Sequence, residues 1–442
     1  VQLEGKYINN NNNEFILSAT YDLPLKIKMK MFLNPFVNPS NESLGLFQSL
    51  EEMEYYTDPN QTFSYKLASM LKNYSLGYRW KMNKIFETDN LNSLMKRAKK
   101  IRDFYWGREI TYSRKVFIPL TNMCRDTCGY CTFVKHPDSP EANILTPEQV
   151  MKIVKSGEEK GCKEALLSLG EKPELKYVKA KENLSKLGFK TMIDYLAEIC
   201  SMIISSSSLL PHVNPGTMKE KEILILKPVS ASMGMMLETI SKRLSKKNGP
   251  HYACPDKVPV QRIRTLVRAG KNKIPFTTGL LIGIGETWEE RLEALYLIND
   301  MHKKFGNIQE VIIQNFQPKP NIKMSLHPTL NIKEILKTIS AARIILEPEI
   351  SIQAPPNLHP EYLTYLDAGI NDWGGISPIT IDFINPEMDW PEIENLSQNM
   401  KSRGYKLKER LTVYPRYISE KLNYLSPLIQ NQILKVDNQI AM

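Results

Sequence analysis

Three cysteines, Cys124, Cys128 and Cys131, sit in one short loop with the spacing C-x3-C-x2-C, directly after the apolar run Val116 to Leu120. A short apolar run that empties into a polar, cysteine-rich loop reads as a buried strand followed by a site. Three thiolates can hold three irons of a [4Fe–4S] cluster and leave the fourth without a protein ligand. Electron-transfer clusters normally take four cysteines, so the loop points to a site that needs an open iron. A structural zinc site and buried thiols are the alternatives. Zinc wants four ligands in a tetrahedron, usually as two spaced pairs, and the nearest further candidate, His136, lies five residues beyond Cys131. Cys162, Cys200 and Cys254 are scattered singly and read as core or surface thiols. This is no secreted disulfide framework, and an exposed cluster with an open iron calls for a reducing compartment.

Strand, loop and helix repeat about eight times between residues 115 and 380. Strands are expected at 116–120, 165–169, 209–213, 229–237, 275–284, 310–316, 350–354 and 370–376. Helices are expected over 91–103, from Thr146, from Met192, over 257–269, from Thr287 and from Asn331, with a helical turn at 362–368. Thr146 with Gln149 and Thr287 with Glu290 have the spacing of capping boxes. The alternation predicts an α/β fold, a TIM-type (β/α) barrel that is partial or complete in its eight strands. Such barrels place chemistry in the loops after the strands. The cysteine loop, Gly170-Glu171, Asn214-Pro215-Gly216 and Gly283 to Glu286 are therefore expected at one mouth. The expected organisation is a low-complexity, poorly defined N-terminal extension over 1–90, the barrel over 91–384, and a C-terminal tail over 385–442 that packs on it. The chain begins at Val1 rather than Met, so an upstream piece is expected, which could carry a targeting segment.

Apolar residues make up 42% and charged residues 24% of the chain, as in an ordinary globular enzyme. The net charge of +10 raises the question of nucleic acid. The lysines, however, interleave with glutamates, as in Lys172 to Lys190, and no recognition module is visible, so no nucleic-acid partner is expected. No apolar run approaches the roughly 18 residues of a membrane span. A cytoplasm or an organelle stroma such as a plastid's fits this composition.

S-adenosylmethionine (SAM) can fill an open iron with its amino and carboxylate groups. Tyr130, beside the third cysteine, is placed to meet adenine edgewise, or it packs the loop. Glu171 can accept from the ammonium of SAM, or it is a helix-start charge. Gly283 and Gly285 permit close backbone approach to a ligand, or a tight turn. Ser232 and Glu238 flank the fourth strand and can face the ribose or methionine part of SAM, or are ordinary barrel polarity. His212 and His251 are candidates for proton transfer. Asn315, Gln353 and Asn357 lie in amide-rich strand ends, and Asp372 opens Asp372-Trp373-Gly374-Gly375. Amides pair donor with acceptor, which suits a uracil-like ring or a polyol; turn chemistry is the alternative.

The three-cysteine spacing resembles that of the radical SAM superfamily. More closely, the stretch from Thr111 to Phe133 is similar to the ring-closing subunit of 7,8-didemethyl-8-hydroxy-5-deazariboflavin synthase. The same likeness runs through Leu167 to Glu174, Pro211 to Gly216, Ser232 to Glu238, Gly283 to Thr287, Gln314 to Phe316, Gln353 to Leu358 and Asp372 to Pro378. It covers about residues 90 to 420, with the first 90 outside it.

The resemblance implies a [4Fe–4S] cluster on Cys124, Cys128 and Cys131 with SAM on the open iron. It implies conversion of a tyrosine–5-amino-6-ribitylaminouracil adduct to the deazaflavin, with release of ammonia, methionine and 5′-deoxyadenosine. An adenosyl radical would take hydrogen from the adduct, the substrate radical would cyclise, and ammonia would leave before a final oxidation. With one three-cysteine loop, this chain would need a separate tyrosine-coupling synthase subunit and an electron donor such as ferredoxin or flavodoxin. A radical SAM enzyme of another pathway, menaquinone-like or of hydrogenase-cofactor assembly, is the alternative; the late amide and Asp-Trp-Gly-Gly stretches fit it poorly. A non-catalytic iron–sulfur carrier or a zinc-binding interaction protein is the other.

Overall fold

The computed structural model describes residues 79, 83–419 and 423–436, the backbone of 437–440, and the backbone of two short strands, β1 (Gln2–Ile8) and β2 (Glu14–Thr20). These two strands pair antiparallel. The asparagine run and most of the expected N-terminal extension lie outside the described residues. The chain divides into two compact units, Val1–Tyr78 and Arg79–Met442, and the second carries the chemistry-bearing residues.

That unit is a closed barrel of eight parallel strands. In chain order they are β3 (Glu109–Thr121), β4 (Glu164–Leu169), β5 (Leu210–Asn214), β6 (Ser232–Gly234), β7 (Phe276–Ile282), β8 (Ile308–Asn315), β9 (Ser351–Gln353) and β10 (Asp372–Ile376). Each pairs with the next, and β10 returns to β3 through Asp372–Thr111, Gly375–Ser113 and Ile376–Arg114. Every expected strand is present. β3 starts earlier than its apolar run indicates, because its first half pairs with other strands: β10 on one side, and on the other β11 (Lys406–Glu409), also parallel. β6 is shorter than expected. Beyond it the regular ladder breaks, and the backbone meets β7 again at Glu238, φ +64°, which bridges Leu280 in parallel.

The helices follow local rules. Pro147–Glu159 begins with the Thr146–Gln149 capping box and Trp288–Phe305 with that of Thr287 and Glu290. The second stops at Gly306, φ +63°, a left-handed C-cap. The helix before the barrel, Leu91–Trp106, packs on Ile332–Ile345. Within the described residues, no helix is long and apolar enough to cross a membrane. After β11 the chain turns under the amino-terminal end of the barrel, and Arg410, Thr412 and Tyr414 enter its interior.

Barrel closure depends on a buried hub. Arg343 donates to the carbonyls of Gly369 (2.9 Å), Pro348 (3.3 Å) and Ile350 (3.2 Å), and to Asn371 Oδ1 (2.5 Å). Asn371 Oδ1 also accepts from Ile352 N (2.8 Å), and its backbone oxygen from Thr111 N (2.9 Å). The guanidinium thus ties together the chain around β9, the turn before β10 and the start of β3. Burial pulls its pKa down to about 9. Replacing it, Arg343→Met, leaves several buried acceptors unpaired. We expect a loss of roughly 3 kcal/mol or more in unfolding free energy, read from urea unfolding; a loss below about 1 kcal/mol would show that closure does not rest on this residue.

Candidate active site

The cysteine loop is held by backbone. β3 and β4 run side by side to Thr121 and Leu169. Gly170 N then donates to Thr121 O (2.8 Å) and Arg125 N to Glu171 O (3.0 Å). A Cβ on Gly170 would stand 2.0 Å from Met123 O and 2.9 Å from the Cys124 Cβ, so only glycine lets the two loops touch. The reward is a directed donor: Glu171 N points at Cys124 Sγ (3.1 Å), joined by Asp126 N (3.4 Å). Gly129 N donates to Pro250 O (2.8 Å), which fixes the loop between the second and third cysteines.

Cys254 belongs to this neighbourhood. Its sulfur accepts from Thr127 N (3.3 Å) and its thiol donates to Tyr252 O (3.5 Å), and it lies close enough to Cys128 to perturb that thiol. Burial pushes the Cys124 thiol up to about 12 and raises Cys131; the Cys254 contact, then burial, raises Cys128. Such thiols ionise only against a bound cation. Among the described residues, the one trio of metal-ligating groups whose donor atoms all lie within 4.8 Å is Asp126, Glu171 and Asp256. The three loop sulfurs are therefore spread more widely than a single zinc at ~2.3 Å per bond would draw them. N–H groups aimed at sulfur and wide spacing both fit a cluster whose irons stand apart.

Around the loop the mouth is densely charged. The Glu171 carboxylate accepts from Thr217 N (2.6 Å) and from the Thr217 hydroxyl. Gly216, at φ +82°, makes room for it: a Cβ there would lie 2.3 Å from Oε2. Arg125 forks onto Asp256. Burial lifts Glu171 to about 7. Glu238 is ringed by Lys257 (2.6 Å), His251 (3.1 Å), Arg262 (3.6 Å) and the Tyr130 hydroxyl. Burial opposes its charge, but Lys257 and Arg262 outweigh burial and hold the carboxyl well below the usual range. Gly283 and Gly285 have φ +90° and +106°. Glu286 accepts from Gly283 N (2.7 Å) and Ile284 N (2.9 Å) and is braced by Arg291 (2.8 Å).

The expected residues thus separate. Cys124, Cys128, Cys131, Tyr130, Glu171 and Glu238 lie in one connected network at the mouth. Ser232 begins β6 and is engaged at the other end of the strand by His212 Nδ1 (2.6 Å) and Thr412 Oγ1 (3.1 Å). Asn315 donates to Leu358 O (3.2 Å), and Asn357 to Asp382 (3.0 Å) and Met388 O (3.1 Å), so both brace loops. Gln353 reaches the barrel interior, where its amide nitrogen, turned toward Glu310, donates at 3.0 and 3.2 Å. Asp372 is fully buried beneath it and is gripped by Arg410 at 2.6 and 2.9 Å. Arg410 also reaches Glu310 (2.7 Å), which burial pushes up to about 8.

Between mouth and floor is a cavity of about 100 Å³ whose lining includes Lys115, Glu164, His212, Thr277, Gln353 and Arg410. Lys115, Arg410, Thr217, Asp256, Lys257 and Arg262 were not singled out from the sequence. Lys115 alone had a local signal: it alternates with Ser113 and Phe117 on the inward face of β3.

A closed parallel barrel with a three-cysteine loop at its mouth defines a radical SAM protein, and residues 118–298 match the Radical SAM superfamily model. The FeFe-hydrogenase maturase HydG from Carboxydothermus hydrogenoformans shares the fold: TM-score 0.63 at 19% identity, over 90% of each chain. The chain is 47% identical over 311 residues to 7,8-didemethyl-8-hydroxy-5-deazariboflavin synthase of Methanopyrus kandleri, covering 70% of this chain and 92% of that protein. It is 44% identical over 339 residues to FO synthase of Mycobacterium leprae, covering 75% of this chain but 39% of that longer protein. The chain belongs to the deazaflavin (FO) synthase family of the radical SAM superfamily, whose members use a [4Fe–4S] cluster and SAM.

Two outcomes test this site. Gly170→Ala forces the Met123 carbonyl away and should abolish cluster retention, seen as loss of the brown absorbance and of bound iron after reconstitution; full iron content would refute the contact's role. Glu310, with its folded pKa raised from 4.5 to about 8, contributes stability that is complete below about pH 4.5 and is lost as pH rises toward 8. Glu310→Gln should therefore lose less stability than the wild type between pH 5 and pH 8 in urea titrations at the two pH values.

Proposed function

We propose that this chain closes the deazaflavin ring. It converts the tyrosine–5-amino-6-ribitylaminouracil adduct to 7,8-didemethyl-8-hydroxy-5-deazariboflavin, releasing ammonia, methionine and 5′-deoxyadenosine. The observation that carries this is the 47% identity across 92% of the Methanopyrus kandleri synthase. Nothing among the relatives favours the menaquinone-like or non-catalytic readings.

The residues divide the work as follows. Cys124, Cys128 and Cys131 hold the cluster, with the backbone N–H groups of Asp126 and Glu171 supporting the Cys124 sulfur. The cluster, when bound, supplies the electron that splits SAM into methionine and a 5′-deoxyadenosyl radical. Glu171, Asp256 and Asp126 form an acidic pocket for the SAM ammonium, whose charge would replace the protons that burial favours on Glu171 and Asp126, while Arg125, against burial, already holds Asp256 below the usual range. Tyr130, Glu238 and the backbone of Gly283 to Gly285 border the nucleoside. The adduct occupies the barrel below, where Gln353 and the Asp372–Arg410 pair supply polar groups and walls of barrel strands exclude water. Holding the two carbons that must join is the main task, because fixed geometry removes much of the entropy cost of the encounter. A separate tyrosine-coupling synthase makes the adduct, and a reduced ferredoxin or flavodoxin feeds the cluster, in a cytoplasm or in an organelle stroma.

The test is an anaerobic reaction of the reconstituted protein with SAM, reductant and adduct. Deazaflavin fluorescence and 5′-deoxyadenosine should appear together, and Cys128→Ala should abolish both. Deoxyadenosine without fluorescence would move the substrate to another pathway. Neither product, from protein with an intact cluster, would sink the reading.

A further inference from the structure

The barrel cavity holds two polar side chains that each keep one nitrogen without a hydrogen-bond partner among the described residues. Lys115 is 7% exposed, yet among the described residues its Nζ makes no hydrogen bond or ion pair. Two rings stand near it, with the centre of Trp390 at 4.7 Å and that of Phe117 at 5.5 Å. Burial lowers its pKa, with Glu164 opposing. A buried lysine without a partner is costly, and the fold goes out of its way to keep it. A Cβ on Gly375 would lie 2.3 Å from the Lys115 Cδ and 2.8 Å from Nζ, so the strand opposite is emptied to admit the ammonium.

His212 is the second group. His212 Nδ1 lies 2.6 Å from Ser232 Oγ and 3.2 Å from Thr412 Oγ1; the ring proton is assigned to Nδ1 because the Ser232 hydroxyl is then free to donate to Thr412 O (3.2 Å). Burial pulls the imidazole down to about 4, which keeps it neutral at neutral pH. Nε2 is therefore an acceptor. Among the described residues it has no hydrogen-bond partner, and it faces the cavity beside Gly234, whose missing side chain would stand 2.9 Å from it.

A cationic donor and a neutral acceptor on one small cavity match the edge of a cyclic imide, which offers a carbonyl oxygen beside an N–H. A phenolic hydroxyl also donates and accepts, but through one oxygen, whereas an imide edge presents the two functions on adjacent atoms; the probes below separate the two, and leaving either group buried and unpaired is penalised. We propose that this cavity seats the uracil ring of the substrate, with Lys115 Nζ donating to a ring carbonyl oxygen and His212 Nε2 accepting from the neighbouring ring N–H. The identity of the ring rests on the ring-closing reading above; the donor–acceptor pair does not.

The experiment uses the reconstituted full chain with SAM and three probes: 5-amino-6-ribitylaminouracil, its form methylated at the imide nitrogen, and p-cresol for the phenol half. Affinities are read by calorimetry, with iron content and melting temperature measured alongside. Lys115→Met should weaken ribitylaminouracil roughly tenfold to a hundredfold, as expected for a charge-assisted hydrogen bond. The methylated probe should bind the wild type more weakly, and that penalty should vanish in His212→Leu. Unchanged ribitylaminouracil affinity in a folded, cluster-loaded Lys115→Met overturns the proposal, as does weakening of p-cresol in its place. If Lys115→Met does not fold, the wild type decides alone: equal affinity for the methylated and unmethylated probes overturns the assignment. Turnover separates the two readings. Lys115-dependent binding of the uracil without any deazaflavin from the adduct sinks the ring-closing function and leaves the cavity assignment standing. Deazaflavin formation with Lys115-independent binding does the reverse.

Discussion

The contact between Gly170 and the Met123 carbonyl is the point on which the mouth depends. Two loops that follow neighbouring strands are brought so close that a single methyl group would collide with backbone. The cysteine loop is therefore positioned by peptide groups rather than by flexible side chains. The same approach turns Glu171 N toward the Cys124 sulfur and sends the Glu171 carboxylate across to Thr217. Sulfur placement and the acidic pocket beside it are two results of one glycine, and neither can move without the other. Sites built this way need little reorganisation when charge arrives.

Charge inside this barrel is arranged in two storeys. At the mouth, Asp126, Glu171, Asp256 and Glu238 face Arg125, Lys257 and Arg262. At the floor, Glu310 and Asp372 share Arg410 and the Tyr414 hydroxyl. Buried ion pairs seldom add stability over apolar packing, so their number here reflects what the interior must bind. The floor residue comes from beyond the last barrel strand. β11 adds to β3, and the next residue, Arg410, turns inward under Asp372. The C-terminal segment is thus part of the chamber's chemistry as well as its packing.

The sequence made the strands legible because each is a short apolar run ending in a loop with turn residues, and the helices because Thr146 and Thr287 carry their caps. It made the cysteine loop legible because cluster ligation is local in the chain. What it could not disclose depends on long-range register. The first half of β3 carries the closure with β10, yet Thr111 to Lys115 look polar and unremarkable, because Thr111, Ser113 and Lys115 face a polar barrel interior rather than an apolar core. Ser232 looked like a mouth residue, but β6 begins at Ser232 and its hydroxyl is tied to His212 and Thr412. Cys254 reads as a solitary thiol until the chain brings it against Cys128. Asn315 and Asn357 have the composition of binding groups and the geometry of loop braces.

Barrel interiors of this class are ordinarily filled by layers of side chains from alternate strands. Here the filling is interrupted at Gly234 and Gly375, and the vacated volume is taken by His212 and Lys115 leaning in from the strands around them. At Gly374, φ +75°, the same device admits the Gln353 amide, since a Cβ would fall 2.3 Å from its Cδ. Mouth and chamber are therefore made by one means. Glycine is placed where another group must come closer than a Cβ allows: a backbone carbonyl under the cluster loop, an ammonium and an imidazole above the floor. The glycine pair of Asp372-Trp373-Gly374-Gly375, which in the sequence resembles a turn, is the negative image of the two polar side chains it receives.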